Sequence, residues 1–178
     1  MSAAAARAST SSGHFELFGL APAFTLDEEK LERSYREIQS QVHPDRFAHA
    51  GDAERRASLQ WTTRVNEAYR TLKSPVARAK HLLELNGVDV AFETNTAMPP
   101  DFLMRQMELR ESLEQAKDAA TLDRLQADLG DGTQALEAEI AEAIDAKKDY
   151  AGAAGLVRKL MFLEKLGAEI DAAYEAVE

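Results

Sequence analysis

Apolar residues recur along most of this chain at the three-to-four-residue spacing of a helix, and the points where that rhythm stops carry as much information as the rhythm itself. Between Asp27 and Val42, the residues Leu31, Tyr35, Ile38 and Val42 fall at helical spacing. Pro44 then withholds a backbone donor and steers His43 away from helical torsions, so this first rod ends at Val42. The rhythm resumes through Leu59, Val65, Ala68, Tyr69 and Leu72, with Asp52 offering an N-cap oxygen and Ser74-Pro75 a stop. Two rods joined in this way predict a helical hairpin with the polar tripeptide His43-Pro44-Asp45 at its tip. Ahead of the hairpin, His14 to Leu20 predicts a short apolar turn of helix, and Thr25 with Glu28 three residues later predicts a capping box.

Further along, Val76 to Leu85 predicts another helix, with Asn86-Gly87 as its C-cap. Its own apolar face predicts that it packs at the junction and holds the two halves of the chain in a fixed orientation. Residues 88–100 have no period and carry a Pro pair, which marks a linker between domains. Three helical segments are expected beyond it, over about 101–120, 121–149 and 150–177, with Asp101 and Thr121 as starts. Gly130 and Gly132 should kink or split the middle one. Short links between three helices predict a bundle over 101–178, so the fold class is all-α, an L-shaped pairing of the hairpin domain with the bundle. Met1 to Gly13, rich in Ala and Ser and without an acid, is expected to be a disordered leader.

Helical angles single out a second surface. At about 100° per residue, Phe102, Leu109, Leu113 and Ala116 fall within roughly 60° of one another and make a core stripe. Leu103, Met104 and Met107 lie about 100 to 160° round from it, among Glu108, Glu111 and Gln115. On the last segment Leu156, Leu160, Leu163, Leu166, Ile170 and Tyr174 form the core stripe, and Phe162 stands about 80° off it. An apolar patch ringed by acids on the outside of a bundle reads as a protein interface; the competing reading is that these four residues complete the core.

Composition narrows the chemistry. The chain of 178 residues has no cysteine, which excludes disulfides, thiol nucleophiles and thiolate ligands for a metal or cluster. No apolar run approaches the roughly 20 residues of a bilayer span. Residues 14–80 carry eleven Lys and Arg against ten Asp and Glu, whereas 88–178 carry nine against twenty. The acidic half argues against a phosphate backbone and favours a basic partner. In the hairpin, Lys30, Arg33 and Arg36 recur at three-residue steps as a cationic stripe. His43, Asp45, His49 and Asp52 share one loop without helix-fixed companions, a poor metal site, and no phosphate loop or nucleophile motif occurs. Neither catalytic residues nor a cofactor or metal is expected.

With its tripeptide flanked by His14-Phe15-Glu16-Leu17-Phe18-Gly19-Leu20 and by Val65-Asn66-Glu67-Ala68-Tyr69-Arg70-Thr71-Leu72, the segment 14–80 resembles a J-domain, the module that activates the ATPase of DnaK-type chaperones. Phe102-Leu103-Met104 with Glu108-Leu109-Arg110-Glu111, and Val157-Arg158-Lys159-Leu160 with Phe162-Leu163, are similar to the C-terminal domain of the HscB family. The resemblance implies a co-chaperone rather than an enzyme. It implies that His43, Pro44 and Asp45, aided by Lys30, Arg33, Arg36 and Arg46, meet an HscA-type chaperone. It further implies that Leu103, Met104, Met107, Glu108, Glu111 and Phe162 hold the iron-sulfur scaffold IscU. A monomer in a bacterial cytoplasm, with no nucleic-acid or membrane partner, fits this family; a mitochondrial matrix protein would carry more Arg in its leader. Gln115 stands where family members can have an acid, and Arg46 where lysine is commoner. A general J-protein or a helical adaptor for another client is the alternative, although no Gly/Phe-rich segment is present.

Overall fold

The computed structural model describes residues 13–91 and 97–177, so the expected leader lies almost wholly outside the described residues, as does the middle of the expected linker. No strand occurs among the described residues, and the fold is all-helical. The chain divides into two compact units between Leu82 and Leu83.

In the first unit, α1 (His14–Leu17) is a single turn, α2 (Glu28–Val42) and α3 (Asp52–Lys73) form the hairpin, and α4 (Pro75–Leu85) begins at Pro75. Gly19 closes α1 with φ of +65°, while the N–H of Leu20 reaches back to the carbonyl of Phe15 at 3.0 Å, a Schellman closure that favours glycine. Helix α2 is capped not by Thr25 but by Asp27, whose Oδ1 accepts the Lys30 N–H at 3.0 Å; the carboxylate nearest the first helical turn wins over the hydroxyl two residues earlier. Similarly, α3 begins at Asp52 itself with Gly51 as N-cap, and Asp52 sits in the first turn, where its charge suits the helix dipole.

The hairpin is held by stacked Tyr35 and Tyr69 rings, 3.9 Å apart, with the Tyr35 hydroxyl donating to Asn66 at 2.9 Å. Leu31, Val65, Ala68 and Leu72 are buried, as are Phe15 of α1 and Phe18 just after it. Leu59 departs from the expected rhythm and is exposed, because at about 100° per residue it stands roughly 120° round α3 from Val65. The buried Arg78 stacks over Phe24 at 5.0 Å and donates to the carbonyl of Leu72 at 2.6 Å, satisfying an acceptor at the end of α3. Lys73 and Glu28, 3.0 Å apart, tie the open end of the hairpin. The Glu28 carboxylate raises the Lys73 ammonium above its ordinary value, so the lysine's share of this exposed, weak pair is present at neutral pH and fades as strong alkali deprotonates it.

In the second unit, Gly87 at φ +72° ends α4 as expected, with Val88 N–H bonded to the Leu83 carbonyl at 2.9 Å. The chain beyond is anchored at its start: Val90 is buried, and its carbonyl accepts from Arg158 at 2.8 Å. The bundle comprises α5 (Pro100–Gln115), α6 (Ala119–Ala141) and α7 (Tyr150–Val177). Helix α5 stops short of 120 because Asp118 caps α6, accepting the Thr121 N–H at 2.7 Å; this bond pulls the Asp118 carboxyl below its usual range. Tyr174 of α7 donates to Asp123 of α6 at 2.7 Å.

The expected glycine break is absent. Helix α6 runs unbroken through Gly130 and Gly132, since Leu122, Leu125, Leu129, Leu136 and Ile140 stay buried on its inner side and tertiary packing outweighs glycine's poor propensity. Regularity fails later instead, at a π-helical turn over Glu142–Ala146 where Lys147 N–H bonds the Glu142 carbonyl at 2.9 Å. Open space surrounds both glycine Cα atoms where a Cβ would stand. Replacing both, Gly130→Ala with Gly132→Ala, should therefore raise the unfolding free energy by about 1 to 2 kcal/mol in urea titration; a lower value would show that the glycines answer a packing need.

Candidate functional site

The polar tip owes its geometry to the proline. His43 leaves the helix with φ −57° and ψ 132°, and Pro44–Phe47 then form one 3-10 turn. The carbonyl of Ser40 would normally accept from the residue four positions on, but that residue is Pro44, which has no N–H. Arg46 substitutes, donating Nη1 to Ser40 O at 3.1 Å. The carbonyl of Val42 likewise loses its helical donor, because the Arg46 N–H bonds to His43 O at 3.0 Å. Two hydroxyls of α3 take the place: Ser58 at 2.7 Å and Thr62 at 3.2 Å.

His43 and Asp45 are exposed on this turn, with Pro44 half-buried between them. The Asp45 N–H donates to His43 Nδ1 at 3.3 Å, a long bond. The Asp45 carboxylate lies 3.5 Å from the same nitrogen. One nitrogen cannot accept and donate at once, so these two contacts to Nδ1 are alternatives. The Asp45 side chain is 91% exposed, so its carboxylate is open to solvent.

Lys30, Arg33 and Arg36 are all exposed on α2, as their spacing predicts. Arg36 is already engaged with Glu32 at 2.6 Å, a surface pair of little energetic weight that a partner's carboxylate can displace. Arg46 is exposed too, but its guanidinium has one N–H tied to the backbone. Among the described residues no group of three or more His, Asp or Glu could hold a metal ion, so His43, Asp45, His49 and Asp52 do not gather into one.

On the bundle, Leu103, Met104 and Met107 are 42, 63 and 71% exposed on the outer side of α5. Glu108, Glu111 and Gln115 stand exposed along the same helix, Gln115 donating to Glu111 at 3.4 Å and Arg105 contacting Glu108 at 3.4 Å. The patch is therefore apolar with a rim whose charges are only loosely engaged. Phe162 of α7 is half-buried, its ring edge-on to Phe102 at 6.5 Å, with the Lys159 ammonium 5.6 Å from the Phe102 centroid. It thus belongs partly to the α5–α7 seam and offers only part of its ring outward.

Sequence reasoning passed over several residues that hold this surface in place. Only Leu109 of the expected core stripe is fully buried; Phe102, Leu113 and Ala116 are half-buried. The other buried residue is Gln106, 5% exposed. Its helical angle puts it about 20° past the edge of the stripe, and its polar type hid it. Arg110 forks onto Glu169 at 3.2 and 3.3 Å, and Arg105 reaches Asp128 at 3.7 Å, so ion pairs flank α5 on both sides. Partners so distant in sequence leave no local signal.

A helical hairpin carrying a His-Pro-Asp turn at its tip, followed along the chain by a helical bundle, defines a co-chaperone of the J-domain type. Residues 98–171 match the family model described as the HSCB C-terminal oligomerisation domain. The chain is 51% identical over 168 residues to the co-chaperone protein HscB homolog of Azoarcus sp. (strain BH72), covering 93% of this chain and 95% of the relative. It is 53% identical to that of Burkholderia mallei (strain SAVP1) over the same shares. Among solved structures, chaperone HscB from Vibrio cholerae superposes with a TM-score of 0.82 at 34% identity, over 94% of this chain and 100% of that one. Human co-chaperone protein HscB gives 0.86 at 26% identity, over 92% and 83%. The chain belongs to the HscB family of co-chaperones.

The Gln106 Oε1 is buried and has no hydrogen-bond partner among the described residues. An unsatisfied acceptor in that position costs about 1 to 3 kcal/mol. Gln106→Met, similar in shape and apolar, should raise the unfolding free energy by about 1 kcal/mol; destabilisation in urea titration would show that the amide is satisfied in solution.

Proposed function

We propose that this co-chaperone stimulates ATP hydrolysis by a DnaK-type chaperone of the HscA kind through its His-Pro-Asp turn, while its bundle holds the iron-sulfur scaffold IscU for delivery. The observation that carries the reading is the pairing of two exposed surfaces of opposite character, the turn of His43, Pro44 and Asp45 and the apolar patch of Leu103, Met104 and Met107. The hydrolysis belongs to the partner. Asp45 offers an exposed carboxylate that an arginine of the chaperone can grip in a forked pair, and Pro44 keeps the turn stiff enough to present it. Lys30, Arg33, Arg36 and Arg46 supply positive charge that steers a chaperone with an acidic face and sets its register.

At the bundle, Leu103, Met104, Met107 and the outward part of Phe162 form the apolar centre of the scaffold dock, and methionine adapts to the partner's relief. Glu108 and Glu111 receive basic groups of the scaffold at the rim. Residues 88–178 carry nine basic against twenty acidic residues, which supports a basic client. Holding client and ATPase in one complex turns a three-body encounter into an intramolecular one and raises the effective concentration of scaffold at the chaperone. The assembly in this reading is a monomer binding two different partners, working in the bacterial cytoplasm.

Asp45→Ala is expected to abolish stimulation of chaperone ATP turnover while leaving scaffold affinity and helicity as in the wild type. Loss of scaffold binding in that variant would contradict the division of labour. Conversely, Leu103→Ala, Met107→Ala and Phe162→Ala combined should weaken scaffold binding in titration calorimetry by at least about a hundredfold, the scale of 2.8 kcal/mol for a lost interface centre. The same variant should still stimulate the ATPase on its own. Unchanged scaffold affinity would remove the patch from the account.

A further inference from the structure

The His-Pro-Asp turn lacks the ordinary means of staying in one place. It is exposed, its internal bonds are short-range, and the proline removes a donor from the helix that leads into it. What α2 loses at its end is restored from elsewhere, and the restoring groups converge on the two residues that precede the tripeptide by one and three positions. Ser58 Oγ donates to Val42 O at 2.7 Å. Thr62 Oγ1 lies 3.2 Å from the same oxygen and 2.9 Å from the Ser58 carbonyl, so its single proton is shared between two acceptors. Arg46 Nη1 donates to Ser40 O at 3.1 Å.

Ser58 is the singular member of this group. It is the one buried side chain in the first half of α3, only 3% exposed, on a stretch where its neighbours Arg55, Arg56, Leu59 and Gln60 face solvent. A buried hydroxyl that donates one short bond to a helix-terminal carbonyl is there to hold that carbonyl. Because Val42 directly precedes His43, fixing its peptide fixes the direction in which the tripeptide leaves the helix.

We propose that Ser58, seconded by Thr62, is a positioning residue for the His-Pro-Asp turn: its hydroxyl clamps the Val42 carbonyl of α2 to α3 and holds the turn in its chaperone-competent direction. Arg46 performs the equivalent task at Ser40, so it anchors the turn as well as carrying charge. The proposal deepens the assigned role of the turn and rests on that reading for its functional consequence, though not for its structural one. Neither Ser58 nor Thr62 touches the chaperone in this scheme. They act through the backbone of Val42, by raising the fraction of molecules whose turn is already oriented.

Two measurements on the full chain separate the clamp from the functional reading. The first is amide hydrogen exchange of the wild type, Ser58→Ala, Thr62→Val, and Ser58→Ala with Thr62→Val. In the double variant the Arg46 amide, bonded to His43 O, should exchange about tenfold faster, while Val65 and Leu72 in the core of α3 keep their protection. Thr62→Val alone should have a smaller effect, since its proton is shared, and Thr62→Ser should match the wild type. The second is a titration of DnaK-type chaperone ATPase with each variant. The half-saturating concentration should rise at least about twofold in the double variant with little change in maximal turnover, which a loss of global stability alone would not produce in a fully folded sample.

Unchanged exchange at Arg46, or equal acceleration at Arg46, Val65 and Leu72, would overturn the clamp. So would faster exchange at Arg46 with an unshifted titration, because the turn would then be mobile without consequence. A wild-type chain that stimulates no such chaperone would instead defeat the functional reading, and the exchange data would still decide whether Ser58 holds the turn.

Discussion

A missing hydrogen governs the business end of this molecule. Pro44 cannot donate to Ser40, and its ring disfavours helix at His43, so α2 must stop with unsatisfied carbonyls on the threshold of the exposed turn. A helix end in that condition frays unless side chains intervene. Here they come from both directions, Arg46 reaching back from the turn and Ser58 with Thr62 reaching across from α3. The hairpin is thus more than a pair of packed rods, since the second rod supplies the cap that the first has lost.

Arginines repeat the device elsewhere. Arg78 donates to Leu72 O at the end of α3, and Arg158 to Val90 O where the chain enters the bundle. In each case a forked cation satisfies a carbonyl at a point where backbone regularity ends, and a long stem allows it to reach from a different element. Such bonds stabilise by about 1 kcal/mol net, yet leaving the acceptor dry would cost more. The second unit uses charge differently. Helix α5 buries only Gln106 and Leu109 fully, and the forked Arg110–Glu169 pair and the longer Arg105–Asp128 contact tie its flanks to its neighbours. A helix held at its edges can afford to leave Leu103, Met104 and Met107 outside.

Much of this was legible because helical angles are geometry. The same 100° step that puts Leu109 inward puts Met104 and Met107 outward, and the structure leaves both exposed. The stop at Val42 and the Gly87 closure were equally readable, since proline and glycine act through their own backbones. Other features depend on competition among groups that sequence cannot rank. Thr25 and Asp27 both offer a capping oxygen, and only the path of the chain decides for Asp27. Gly130 and Gly132 weaken a helix locally, but the leucines packed on either side override them. Ser58 and Gln106 were invisible for a simpler reason: a polar residue is presumed to face water until a distant partner, or the lack of one, shows otherwise.

In the proposed function the turn and the patch act together on one chaperone. The central claim is therefore best tested by the ATP turnover of a DnaK-type chaperone, measured with this protein alone, with the iron-sulfur scaffold alone, and with both. The account predicts that the two together stimulate well beyond the sum of their separate effects. Stimulation equal to that sum would mean that the turn and the patch serve unrelated ends.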